Sequence, residues 1–137
     1  MAYAWDESMS TGVEELDDAH QTLILWVNKL SDAMMQGKGN AEVLRILDFL
    51  GNYAARHFTA EEHCMNAFRC PTAQANKRAH TDFLAYFTKM KTECEVNGVN
   101  TVKVLELQQA LGNWLRNHIM KIDVALKPCV TPAAGAR

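Results

Sequence analysis

At 137 residues and 48% apolar content, the chain fits one domain that buries its own core without staples. A net charge of −2, with acids and bases mixed along the chain, offers no basic patch for nucleic acid. No apolar stretch opens the chain, so no export signal is expected, and the longest apolar run, Leu23 to Val27, is far too short to span a bilayer.

Three prolines and seven glycines leave room for long uninterrupted elements. Residues 1–16 read as an irregular arm whose Tyr3 and Trp5 pack on the helices. The first helix is predicted from about Asp17 to Gln36, because Leu16, His20, Leu23, Ile24, Val27, Leu30 and Met34 recur at spacings of three and four. Gly37 and Gly39 end it. Asn40, a good N-cap, opens a second helix running to about Phe68, with Leu44, Leu47, Leu50, Ala54, His57, Glu61 and Met65 on one face. A third comes after Pro71-Thr72 and stops at Asn97-Gly98. A fourth starts near Thr101 and stops before Pro128. Four long helices with short connections predict an all-α, up-down-up-down antiparallel four-helix bundle over residues 1–127, with 128–137 as a loose C-terminal tail.

The chemistry lies on the inward stripes. Positions four apart share a helix face, so His57 and Glu61 both point at the core. His20 lies on the inward stripe of the first helix, His80 beside Phe83, Leu84 and Phe87, and His118 near Leu111, Trp114, Leu115 and Ile122. A single histidine on an apolar face is ordinarily a core residue bonded to a carbonyl or water. One imidazole from each of four helices, plus a carboxylate, is a different case. Without a metal, several buried polar groups would compete for partners, at about 1–3 kcal/mol for each one unpaired. Imidazoles with a bridging carboxylate suit iron, and bundle cores house such sites.

Three neighbours fit this pattern less well. Asp123 is five residues after His118, roughly 140° around a regular helix, so it joins the site only if the helix widens or loosens at its end. His63 is two residues from Glu61 and is expected to face water. Cys64, seven after His57, leans inward and reads as core filler. The four cysteines form no C-x-x-C pair and read as reduced thiols of a cytoplasmic protein.

These motifs together resemble the hemerythrins, especially the bacterial single-domain members. Trp5 followed by Met9-Ser10-Thr11-Gly12-Val13 is similar to the family's N-terminal arm. Leu16-Asp17-x-x-His20 resembles its first ligand motif, with Ala19 where Gln is common. His57-Phe58-x-x-Glu61-Glu62-x-x-Met65, His80-x-x-Phe83 and His118-Ile119-x-x-x-Asp123 resemble the second, third and fourth. The resemblance covers about residues 5–126.

It implies two non-haem iron ions bridged by Glu61 and Asp123, one held by His20 and His57 with a position open for dioxygen, the other by His80 and His118. It also implies an apolar oxygen pocket at Leu23, Phe58, Trp114, Leu115 and Ile119. One departure stands out: the family usually has His-x-x-x-His on the third helix, and this chain has Asn76 where the first of those histidines would stand. The shorter reach of an amide favours water or a small anion in that position, hydrogen-bonded by Asn76. The expected function is reversible oxygen binding for carriage, storage or delivery. Di-iron oxidoreductase chemistry on peroxide or nitric oxide, and iron buffering, are the alternatives.

Overall fold

The computed structural model describes residues 3–130. Four long helices run in order: α1 Glu14–Met35, α2 Asn40–Ala67, α3 Ala73–Asn97 and α4 Thr101–Lys121. A short helix, α5 Leu126–Val130, comes after a 3₁₀ turn over Asp123–Ala125. α1 packs against α2 and α4, and α2 packs against α3, the neighbour pattern of an antiparallel bundle with short connections. No strand occurs among the described residues, and no described helix is long and apolar enough to cross a membrane.

The heart of the bundle is filled from all four long helices. Leu30, Val43, Leu47, Val104 and Leu107 are fully buried at the end away from the histidines. Each such side chain contributes about 1.5–3 kcal/mol through burial. That apolar end closes the bundle and leaves the other end free to carry polar groups.

The helix ends follow local chemistry. α1 starts three residues before the periodicity suggests, because the Asp17 carboxylate ties down the arm. It accepts hydrogen bonds from Ser10 Oγ at 2.8 Å, Thr11 N at 2.8 Å and Thr11 Oγ1 at 2.9 Å. The arm is less irregular than expected, with a 3₁₀ turn at Glu7–Met9. Tyr3 and Trp5 do pack on the core, and Tyr3 N donates to Asn28 Oδ1 at 2.9 Å. The Tyr3 ring also lies directly on Gly112 of α4, where any side chain would collide with it.

Asn40 is the first residue of α2 and not its cap. Gly39, in extended backbone, takes the cap position without a side-chain bond. α1 ends in a Schellman turn, with Gly37 at φ 69° and Lys38 N donating to Ala33 O at 2.9 Å. α2 ends the same way, but Arg69 takes the left-handed position at φ 51°, and Cys70 N donates to Met65 O at 2.8 Å.

The fourth helix departs most from expectation. It stops at Lys121, and Ile122 leaves helical geometry at φ −118° before the 3₁₀ turn begins. The stretch expected as a tail from Pro128 is helical as far as Val130, and Cys129 and Val130 pack beside Leu16, Met65 and Leu126. The rest of that tail, 131–137, lies outside the described residues.

Candidate metal centre

Each long helix delivers one histidine to a single point between the helices. His20, His57, His80 and His118 are all buried, together with Glu61, Asp123 and Asn76. Glu61 sits at the middle and divides its two oxygens. Oε2 lies 3.0 Å from His20 Nε2 and 3.1 Å from His57 Nε2. Oε1 lies 3.0 Å from His80 Nε2 and 3.8 Å from His118 Nε2. Asp123 divides in the same way, with Oδ2 3.1 Å from His20 Nε2 and Oδ1 3.1 Å from His118 Nε2. Both carboxylates thus span two imidazole pairs, and the ligand atoms form two groups close enough to hold a metal ion each.

Asp123 reaches the centre because α4 ends before it. A continuous helix would turn it roughly 140° away from His118. The break at Ile122 and the 3₁₀ turn swing it back, and it is 1% exposed. Of the two routes spacing allows, loosening at the helix end is the one used.

Electrostatics tie the cluster together. Burial opposes a charge on His20, but hydrogen bonds to Asp123 and Glu61 outweigh it and raise the ring from 6.5 to about 9. Burial likewise opposes charge on His118, and the same two carboxylates raise it to about 9. Burial alone would raise Glu61, yet the imidazoles of His118, His20, His57 and His80 gathered around it hold it well below its ordinary value. The centre therefore keeps the Glu61 carboxylate ionised in a dry interior by surrounding it with nitrogen donors.

Those donors are not fully paired. His57 Nε2 makes no aligned hydrogen bond despite its 3.1 Å approach to Glu61, and His20 Nδ1 has no partner among the described residues. His80 and His118 turn Nε2 on each other at 3.1 Å. Opposed ring nitrogens with a lone pair to spare, clustered on two carboxylates, make a nitrogen-oxygen donor set suited to a transition metal.

Asn76 belongs to the cluster geometrically. Its Oδ1 lies 2.8 Å from His118 Nε2. With the amide turned over, its NH₂ reaches Glu61 Oε1 and His80 Nε2, both at 3.0 Å. The side chain spans the gap without any inward shift of α3.

His63 is exposed, as its phase predicts, and Cys64 is half-buried in the small apolar cluster around Leu16 and Met65. One participant is not apparent from helix phase. Glu62 Oε2 lies 2.9 Å from His80 Nδ1, the ring nitrogen facing away from the centre. Its signal is its place beside Glu61: one residue along the helix turns a side chain by about 100°, here toward α3.

Apolar groups roof the centre. Phe58 stacks on His80 with ring centroids 3.8 Å apart, and Trp114 stacks on His118 at 4.4 Å. Leu23, Phe58, Trp114 and Leu115 line a cavity of about 20 Å³, together with side chains that include Phe83 and Phe87. That is room for about one very small molecule. Ile119 is fully buried but does not line this cavity. Phe83 and Trp114 also line a groove on the outer surface with Asp82, Tyr86 and Ala110, so these two rings stand between cavity and solvent. A second groove, of about 240 Å³, runs over Leu16, Ala19, Ala60, Tyr53 and Arg56 to His57.

Residues 11–130 match the hemerythrin HHE cation binding domain. The chain belongs to the hemerythrin family. It is 31% identical over 126 residues to a bacteriohemerythrin of Methylococcus capsulatus, covering 88% of this chain and 90% of that protein. It is 30% identical to myohemerythrin-1 of Phascolopsis gouldii, covering 91% and 92%. A crystal structure of wild-type hemerythrin superposes with a TM-score of 0.81 at 28% identity, covering 95% of this chain and 98% of the other.

Proposed function

We propose that this hemerythrin holds two non-haem iron ions and binds dioxygen reversibly. The observation that carries the proposal is the splitting of Glu61 and Asp123, each offering one oxygen to either histidine pair. Each carboxylate is thus placed to serve two ions. His20 and His57 would hold one ion, and His80 and His118 the other. Iron in these positions would supply the electrons for reversible oxygen binding.

The chain's own residues supply the rest. The low pKa of Glu61 keeps it an anion, ready to hold metal at neutral pH. Leu23, Phe58, Trp114 and Leu115, which line the cavity, would keep water out of it, because their apolar surfaces offer it no hydrogen bond. The Asn76 amide lies on the His118 side of the cluster, so we assign oxygen to the side of His20 and His57. The test is to reduce the iron-loaded protein, admit oxygen and record the visible spectrum. A stable oxygenated band that disappears under argon supports the proposal. Immediate conversion to the oxidised form contradicts it. Trp114→Ala should shorten the life of the oxygenated form several-fold, measured as the decay rate of that band.

A second reading, turnover of peroxide, draws on Asn76. An amide stands where a third imidazole would complete the other ion's shell, and as a weaker donor it would leave that position exchangeable. Steady consumption of hydrogen peroxide with a reducing co-substrate would favour it over simple binding.

A further inference from the structure

Below the metal centre, where α5 closes the bundle, two thiols meet at one carbonyl. Cys70 lies in the turn between α2 and α3, and its Sγ donates to Ala125 O at 3.6 Å. Cys129 lies on α5, and its Sγ donates to the same oxygen at 3.5 Å. Cys70 is buried and Cys129 is half-buried, in one apolar cluster with Met65 and Leu126. The two residues are far apart in sequence, so only the fold brings them together. Nothing in the metal centre or its pocket uses them.

We infer that Cys70 and Cys129 form an intramolecular disulfide under peroxide, fastening α5 to the α2–α3 turn. Both thiols converge on the Ala125 carbonyl, and the neighbouring Cys70 thiol, with burial, pushes Cys129 up to about 11. Little Cys129 thiolate is therefore present at neutral pH, so Cys129 oxidises faster as pH rises.

The chemistry balances with hydrogen peroxide as oxidant. Cys129, the more accessible sulfur, attacks one peroxide oxygen. The O–O bond breaks, water leaves and Cys129 becomes a sulfenic acid. Cys70 sulfur then attacks the Cys129 sulfur. The S–S bond forms, the S–O bond breaks, and the hydroxyl departs with the Cys70 proton as a second water. Two thiols lose two electrons in all, and one peroxide becomes two waters. Burial of Cys70 beside its partner favours the bridge over further oxidation.

The bridge would tie α5, which begins directly after the Asp123–Ala125 turn, to the α2–α3 turn, with Ala125 at the end of that 3₁₀ turn accepting from both thiols. It closes a long loop of chain, and cross-links of that kind stabilise by restricting the unfolded state.

The test uses the full iron-loaded chain. It is treated with hydrogen peroxide, free thiols are blocked with iodoacetamide, and the digest is analysed by mass spectrometry. The expected product is a peptide pair joining Cys70 to Cys129, lighter by two hydrogens, with Cys64 and Cys94 alkylated. The melting temperature should rise by several degrees and return with dithiothreitol. Cys129→Ser should abolish both the link and the shift, while Cys64→Ser should leave both intact. Alkylation of Cys70 and Cys129 after peroxide, or a link from Cys70 to Cys64, would overturn the inference.

Discussion

The two halves of the centre hold the same number of imidazoles but are built differently. Around His80 and His118, nearly every ring surface is occupied. Phe58 and Trp114 stack on the rings, Glu62 fixes His80 Nδ1 at 2.9 Å, and Asn76 touches His118 at 2.8 Å. Around His20 and His57, the rings meet edge to face at 4.6 Å, His20 Nδ1 has no partner among the described residues, and a surface groove reaches His57. The contrast teaches a division of labour. One half is locked in orientation by neighbours, as outer partners of metal-binding histidines do. The other has fewer neighbours holding its rings, and the surface groove ends on its His57.

The carboxylate shared by both halves gives the largest expected effect. Glu61→Ala should empty both positions at once, with iron per chain falling close to zero and the melting temperature falling with it, since metal binding is coupled to folding. Loss from one half only would mean that the halves are independent and that Glu61 does not bridge.

Asn76→His sharpens the comparison by giving the locked half a third imidazole. Iron release to a chelator should slow by about tenfold, and conversion of the oxygenated form to the oxidised form should slow too. Unchanged rates in both assays would place position 76 outside metal contact. Glu62→Gln is milder: it keeps the shape but weakens the bond to His80 Nδ1, and a few-fold faster iron release is expected from the locked half alone. His63→Ala, at an exposed position, should change neither iron content nor melting temperature.

The metal-free protein offers a pH test. His20 and His118, raised from 6.5 to about 9, stabilise the fold fully below pH 6.5, and that contribution is lost as pH rises through 9. Glu61, lowered from 4.5, contributes above pH 4.5 and loses that contribution as acid protonates it. Metal-free protein should therefore melt highest between about pH 4.5 and 6.5. Iron-loaded protein should hold its melting temperature to higher pH, because metal replaces protons on the same nitrogens. Thermal melts of both forms from pH 4 to 10 check this.

Much of the bundle and its centre is legible in the amino-acid sequence. Periodicity alone places four helices and turns His20, His57, Glu61, His80 and His118 inward, because burial of apolar stripes fixes helix phase. The same phase correctly sends His63 outward. Asp123 is not legible from spacing, since its position depends on where α4 stops, and a break at Ile122 leaves no Gly or Pro mark in the sequence. Motif resemblance supplies it. Glu62 is hidden because a charged residue beside a buried one looks solvated until α3 is in place. The Cys70–Cys129 meeting depends on α5 folding back, whereas Pro128 in the sequence suggests a stop there. Proline is tolerated in the first turn of a helix, which is where Pro128 lies in α5.

The central claim is that Glu61 and Asp123 each serve two metal positions. The most direct measurement is iron per chain in protein loaded anaerobically with ferrous ion, read together with Mössbauer spectra of the oxidised form. Two irons per chain, antiferromagnetically coupled through a shared bridge, are expected. One iron per chain, two uncoupled irons, or zinc in a tetrahedral site would contradict the claim.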